Sequence, residues 1–182
     1  AFYALKCAPK AFSEIEKLGC FKLYKDIDIK LAGVLAEMEI EGFPLDKNML
    51  VELGKSFQFE LEKYKNAIYD LAGEQFNIDS PKQVGDILFN KLGLKPLDKK
   101  MSTSVEVLNE LRKYHPIVDN ILQYRKYAKL MSTYVTSLAG HVKDDGKIHT
   151  IFNQALTSTG RLSSSEPNLQ NISTRDEESK QI

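Results

Sequence analysis

The chain has 182 residues, enough for one compact domain or two small lobes with an apolar core. Its 25 basic and 25 acidic residues cancel, which excludes a uniformly basic nucleic-acid binder but allows a local basic surface. Two cysteines are too few for a disulfide framework, no secretory leader is recognised, and no apolar run reaches the roughly 20 residues that span a bilayer. We therefore expect a soluble, cytoplasmic globular protein.

Apolar spacing and end signals predict five helices before Gly140. The first two cover about 26–40 and 46–73, the second beginning at the N-cap Asp46 and ending at Gly73. The third begins with Ser80 as N-cap, Pro81 as its first residue and Gln83 as the reciprocal partner of a capping box.

The last two predicted helices begin at a second capping box, 103–106, and at the His-Pro pair 115–116. The fourth ends at Leu111 and the fifth at about Leu138. Helical spacing places five residues of the last helix on its inward face: Ile117, Ile121, Ala128, Met131 and Val135.

Short extended segments are predicted after Gly140. The Asp-Asp-Gly run at 144–146 is typical of a hairpin turn between 140–143 and 147–153. From Thr157 onwards the chain is mostly Ser, Thr, Asn and Gln, which fits either a floppy tail or a shaped loop. Irregularly spaced apolar residues within it favour the loop.

The segment 160–175, here called the polar strip, carries Arg161 next to Gly160, followed by the donors Asn168, Gln170, Asn171 and Arg175. Such side chains reach minor-groove acceptors and phosphates. The alternative is a polar loop that bonds to its own backbone.

A second candidate surface lies in 95–133, which holds 8 basic and 4 acidic residues. Arg125 and Lys129 are four residues apart on one predicted helix, with hydroxyl side chains close to the same face, an arrangement suited to following a phosphate backbone. A solvated helix face is the other interpretation.

Metal and catalytic sites are not indicated. His115, His141 and His149 lack ligand spacing, and His115 fits a helix cap better. The acidic run 176–178 could hold a metal, although terminal charge runs are usually solvated.

The run 157–172 closely resembles a hallmark of the family A DNA polymerases of the bacterial DNA polymerase I type. The segments 76–83, 115–118, 123–125 and 148–154 continue the resemblance in the family's order. It implies an α+β fold, mainly α, with a helical thumb-like bundle and a short β element from the start of the palm. It also implies four regions: 1–22 as the end of an exonuclease-like domain and connector, 23–45 as a palm-associated helix, 46–138 as the thumb, and 139–182 as the first palm strands and the primer-terminus loop.

The resemblance also implies DNA-binding residues. Arg161 would lie in the minor groove at the primer terminus, with Asn168 and Gln170 nearby and Asn171 and Arg175 on phosphates. The thumb positions that match duplex contacts are Ser80, Ser102, Thr103, Arg125 and Lys129. Three departures from the family's pattern are a short thumb tip at 99–102, Met131 where Lys is frequent, and Ser173-Thr174 before Arg175.

The resemblance implies part of a DNA-directed DNA polymerase, a nucleotidyltransferase of replication and repair. Its partners would be primer-template duplex DNA and the remaining palm and fingers, with no membrane, in the bacterial cytoplasm at the nucleoid. We expect no catalytic residue and no cofactor here, because the family's Mg²⁺-binding aspartates come later in the palm, so the fragment alone should be inactive. The alternative is a helical nucleic-acid or protein interaction module that has lost polymerase activity.

Overall fold

The computed structural model describes residues 2–97, 100–172 and 180, and the fold is α+β and mainly α, as predicted. The α-helices are α1 (Phe2–Lys17), α2 (Phe21–Leu23), α3 (Ile29–Glu41), α4 (Lys47–Ala72), α5 (Pro81–Gly85), α6 (Val105–Leu111), α7 (Ile117–Leu130) and α8 (Ser137–Ala139). The π-helical turn Tyr24–Asp28 joins α2 to α3, Asp86–Lys91 extends α5, and Met131–Thr136 joins α7 to α8. The strands are β1 (Phe43–Pro44), β2 (Lys147–Ile148), β3 (Ile151–Asn153) and β4 (Ser163–Ser165).

Backbone proximity divides the described chain into two compact units. The helical unit contains residues 46–140, and the strand unit contains residues 2–45 and 141–172. The predicted assignment of four polymerase regions stays a prediction. Among the described residues, no helix is both long and apolar enough to cross a membrane.

Helix α1 was not among the five predicted helices. Pro9 lies inside it, and a proline at that place normally argues against a helix because it lacks the N–H donor. The helix has no buried residue. The helix predicted at 26–40 begins earlier in the structure, because the helical chain starts at Phe21 and passes through a π-helical turn before α3.

Each of the two predicted capping boxes differs from the structure in one detail. Ser80 is the N-cap of α5, as predicted, and accepts a hydrogen bond from the Gln83 N–H at 3.4 Å. The Gln83 side chain, however, accepts from the Asn77 N–H at 2.7 Å instead of from Ser80. At the second box, Ser104 caps α6 and Thr103 does not, because the Thr103 side chain is buried and bonded elsewhere.

The core of the helical unit lies among α4, α5, α6 and α7. Its fully buried members include Ile68, Val84, Leu88, Leu108, Leu111, Ile117, Val118 and Ile121. Burying one such aliphatic side chain contributes about 1.5–3 kcal/mol, so this cluster supplies much of the unit's stability.

The predicted inward face of the last helix is correct only in its first half. Ile117 and Ile121 are buried, whereas Ala128, Met131 and Val135 are half-buried. The residues buried instead are Tyr127, Leu130, Tyr134 and Leu138. Aromatic packing explains the change, because the ring of Tyr127 lies 5.8 Å from that of Phe57 and 5.9 Å from that of Tyr64, both on α4.

The strand unit has two small antiparallel sheets. The predicted turn at 144–146 is present, with a hydrogen bond of 2.8 Å from the Lys143 N–H to the Lys147 carbonyl and a single bridge from Val142 to Ile148. The main partner of β2 is nevertheless β1, with Phe43 opposite Ile148, and β3 pairs with β4. The β1–β2 pairing joins segments about a hundred residues apart, and the β3–β4 pairing forms across residues 154–162, so the local turn signal at 144–146 reveals neither.

Gly42 allows the chain to turn from α3 into β1. Its φ of 69° and ψ of 178° belong to a region that is essentially restricted to glycine. A Cβ atom at this position would lie 2.7 Å from Cε1 of the His149 ring. Backbone conformation and close packing therefore both require glycine here.

We predict that Gly42→Ala lowers the free energy of unfolding of the strand unit by roughly 3 kcal/mol or more, because it combines backbone strain with a ring clash. Gly146→Ala is the matched control, since Gly146 also has a positive φ but has no atom within 4 Å of its Cβ position. We expect this control to cost about 1–2 kcal/mol. Urea unfolding of both variants tests the difference, and equal losses would contradict the packing argument.

Candidate nucleic-acid interface

Ser164 organises the loop that follows strand β4. Its side chain is buried, and its hydroxyl donates to Oδ1 of Asn168 at 3.2 Å and accepts from the Leu169 N–H at 3.0 Å. Oδ1 of Asn168 also accepts from the Gln170 N–H at 2.9 Å. These local bonds fix the backbone from 164 to 170, and the shaped loop expected from the sequence is present in place of a floppy tail.

Thr150, the residue directly before strand β3, makes hydrogen bonds to the same loop. It is buried, and its hydroxyl lies 2.7 Å from the Pro167 carbonyl oxygen and 3.1 Å from that of Ser165. The amide of Asn153 donates to the Ser165 hydroxyl at 3.1 Å. The loop is thus bonded from both its own residues and the neighbouring strand.

Four residues predicted to bind DNA lie at the surface of the polar strip, together with the exposed Glu166. Arg161, Asn168, Gln170 and Asn171 belong to exposed residues. The Arg161 carbonyl accepts from the Thr157 hydroxyl at 2.5 Å, so a backbone bond holds its position while its guanidinium faces solvent. Arg175, predicted to hold a phosphate, lies outside the described residues.

Arg125 has a different environment from the one its sequence position suggests. Its guanidinium donates to the Thr103 carbonyl at 2.5 Å and to the Thr103 hydroxyl at 3.2 Å. Burial lowers the pKa of Arg125 because desolvation disfavours its charged form. Arg125 and Lys129 are therefore not two equivalent surface cations, since Lys129 is exposed and Arg125 holds the segment before α6.

The segment held by Arg125 borders an open cleft of about 740 Å³ in the helical unit. Its polar lining includes Asp79, Lys82, Ser102, Thr103 and Arg125. Ser102 accepts from the Ser104 N–H at 3.2 Å, so its hydroxyl already supports the turn. The half-buried Ser80 lies just before the Pro81 wall of the same cleft, its oxygen bonded in the α5 cap.

Tyr124 and Asp79 form a side-chain pair in the helical unit. The phenol donates to the Asp79 carboxylate at 3.3 Å. Burial and the charge of Asp79 raise the pKa of Tyr124 to about 12, so the phenol stays protonated and acts as a donor.

His115 acts as a structural group at the start of α7. Nδ1 of His115 accepts from the Ile117 N–H at 3.2 Å, which confirms the predicted cap. In the part of the chain that the structure describes, no three His, Cys, Asp or Glu side chains are grouped as metal ligands would be. The acidic run 176–178 lies outside that part.

Comparison with known proteins identifies the family. The model of "DNA polymerase family A" matches residues 47–182. DNA polymerase I of Bacillus subtilis is 47% identical over 178 residues, which are 95% of this chain and 20% of that protein. DNA polymerase I of Lactococcus lactis subsp. cremoris is 51% identical over 164 residues, 88% of this chain and 19% of that protein.

The chain belongs to the family A DNA polymerases. A solved structure, the POL domain of Pol1 from M. smegmatis in complex with DNA primer-template and dNTP, matches with a TM-score of 0.90 and 36% identity over 98% of this chain and 32% of that one. The chain spans about a fifth of the length of the curated relatives it matches.

Three residues that organise this family A chain were missed as site residues from the sequence. Thr150 and Ser164 are buried hydroxyls beneath the polar strip, and His149 links two elements of the strand unit. Ser164 lies in the serine run 163–165 of the polar strip, where the sequence suggests hydroxyls that bind phosphates, whereas the structure buries Ser164. Its position in a strand facing Phe152 could have been inferred only from the β3–β4 pairing.

His149 makes hydrogen bonds with both ring nitrogens. Nδ1 lies 2.7 Å from the Glu39 carbonyl and Nε2 lies 3.0 Å from Oδ2 of Asp145. Both partners are acceptors, so both bonds form fully only when the ring is protonated. The Glu39 carbonyl, and after it Asp145, raises the pKa of His149 above its usual value, although desolvation and, less strongly, the charge of Lys147 oppose this.

We predict that Arg125→Lys lowers the free energy of unfolding by roughly 1.5–3 kcal/mol, because a lysine cannot make both of the bonds that Arg125 makes to the buried Thr103. Arg112→Lys is the control, since Arg112 makes an exposed pair with Asp119 that contributes about 0–1 kcal/mol. Urea unfolding measures both variants. Similar losses in the two variants would show that Arg125 is an ordinary surface cation.

We also predict a pH dependence centred on His149. Because its folded pKa is raised, the stabilisation is complete below the unfolded pKa of about 6.5 and is lost as the pH rises through the folded value. His149→Gln should flatten this part of the profile of unfolding temperature against pH. Titration of the ring by NMR gives an independent reading, and a pKa at or below the unfolded value would refute the assignment.

Proposed function

We propose that this chain binds the duplex part of a primer-template as part of a DNA-directed DNA polymerase of replication and repair. The observation that carries the proposal is the exposure of Arg161 just before strand β4 and of Asn168, Gln170 and Asn171 after it, where buried hydroxyl bonds hold the loop. Guanidinium and carboxamide groups are donors suited to the acceptors that every base pair presents in the minor groove. The M. smegmatis relative, described with primer-template DNA, supports this choice of partner.

A second surface supports binding along the duplex. In the helical unit, Lys129 is exposed, and Arg125 holds Thr103 and its neighbour Ser102 at the edge of the cleft. Lys129 supplies a cation for phosphate. Arg125 then acts chiefly by positioning the 100–104 segment.

We further propose that primer extension needs residues of a longer protein. Phosphoryl transfer by these enzymes depends on two metal ions, and by family resemblance their aspartate ligands belong to later palm motifs. On this proposal Mg²⁺ acts in the complete polymerase together with the remaining palm and fingers. The 182-residue chain alone is expected to bind DNA and to leave a primer unextended when Mg²⁺ and nucleotides are added.

We predict that Arg161→Ala weakens duplex binding by roughly 1–3 kcal/mol, about five- to a hundredfold, because one guanidinium contact is lost. Lys143→Ala is the matched control, since it removes one exposed cation from the turn of the same unit. Fluorescence anisotropy with a labelled primer-template measures both affinities. Equal, small losses would indicate general charge attraction and would contradict a specific role for Arg161.

The salt dependence tests the duplex-binding surface as a whole. If binding neutralises about four phosphates, the logarithm of the affinity should fall against the logarithm of salt concentration with a slope of about −3.6. The basic excess in 95–133 motivates this number. A slope near zero, or no binding at low salt, would contradict the proposed function.

A further inference from the structure

We infer that Thr150 is a positioning residue for DNA binding: its buried hydroxyl sets the conformation of the loop 163–170 that presents Asn168 and Gln170. This inference rests on the proposed function. Thr150 itself is only 2% exposed, so it acts on DNA through the loop and not by contact.

The first argument is the pair of carbonyls that Thr150 reaches. The Pro167 oxygen at 2.7 Å is the closer acceptor, and the Ser165 oxygen at 3.1 Å shares the same hydroxyl. Together they fix the backbone on both sides of Glu166, whose φ of 59° is unusual for a residue other than glycine. An uncommon backbone conformation needs such support from its surroundings.

The second argument concerns the hydrogen bonds next to residues 165–167, which orient the exposed residues Asn168 and Gln170. Ser164 bonds Asn168 and the Leu169 N–H, and Asn168 bonds the Gln170 N–H. A shift at 165–167 would break this set of bonds, because Ser164 and Asn168 lie on opposite sides of the shifted segment.

The third argument is that the chain on both sides of Thr150 is held in place by hydrogen bonds. Its neighbour His149 is bonded to the Glu39 carbonyl at 2.7 Å, and two residues later the Phe152 N–H donates to the Glu39 carboxylate at 2.6 Å. Helix α3 therefore holds the chain on both sides of Thr150. The two hydrogen bonds of the Thr150 hydroxyl therefore fix the loop carbonyls relative to α3.

The test compares Thr150→Val with Thr150→Ser in the 182-residue chain. Valine keeps the shape and removes the donor, whereas serine keeps the donor. Leu35→Ala is the stability control, because it removes a buried side chain from α3 in the same unit and leaves the loop's hydrogen bonds intact. Two readouts are taken well below the unfolding transition: amide hydrogen exchange at Leu169 and Gln170, and affinity for a labelled primer-template.

We expect Thr150→Val to speed exchange at both amides at least about tenfold, the size of one lost buried hydrogen bond, and to weaken DNA binding at least about fivefold. Thr150→Ser should restore both readouts, and Leu35→Ala should change neither. In combination with Asn168→Ala, the loss of affinity should be smaller than the sum of the separate losses, because both changes act through one loop.

Unchanged exchange in Thr150→Val would overturn the inference, and so would faster exchange with unchanged affinity. The same losses in Leu35→Ala would reduce Thr150 to a general stability residue. If the unaltered chain fails to bind the primer-template, the proposed function itself fails. The exchange data then show separately whether Thr150 holds the loop.

Discussion

The strand unit depends on the bonds that Glu39 makes with chain more than a hundred residues away. Its carbonyl accepts from Nδ1 of His149, and its carboxylate accepts from the Phe152 N–H. Bonds to a charged acceptor are stronger than bonds between neutral groups, so the carboxylate is the firmer of the two anchors. Thr150 lies in the chain between the two residues that Glu39 bonds, and its hydroxyl bonds the Pro167 carbonyl in the polar strip. Gly42 leaves the space that the His149 ring occupies.

In the helical unit, a half-buried cation has a comparable role. Arg125 projects from α7 and bonds both the carbonyl and the hydroxyl of Thr103, which brings the segment before α6 onto the helix. Desolvation of the guanidinium is unfavourable by itself, and the two bonds compensate for it. The result is a fixed segment at the edge of a cleft.

In each unit, the hydrogen bonds of a buried or half-buried polar side chain thus determine where exposed polar residues lie. This works only if the interior groups find partners, and among the described residues no buried side-chain nitrogen or oxygen lacks one. Such preorganisation is an advantage for the duplex binding proposed for this chain. Fixed donors can bind without the entropic cost of ordering a mobile loop.

The sequence by itself determined the helices with strong local signals, the caps at Asp46, Ser80 and His115, the turn at 144–146, and the polar strip that carries the family resemblance. These depend on bonds between residues a few positions apart, which a linear pattern contains. The tertiary structure alone decided the β1–β2 and β3–β4 pairings, the partner of Arg125 and the carbonyls that Thr150 reaches. Those bonds join distant segments, and only the packing of the folded chain determines which distant donor and acceptor meet.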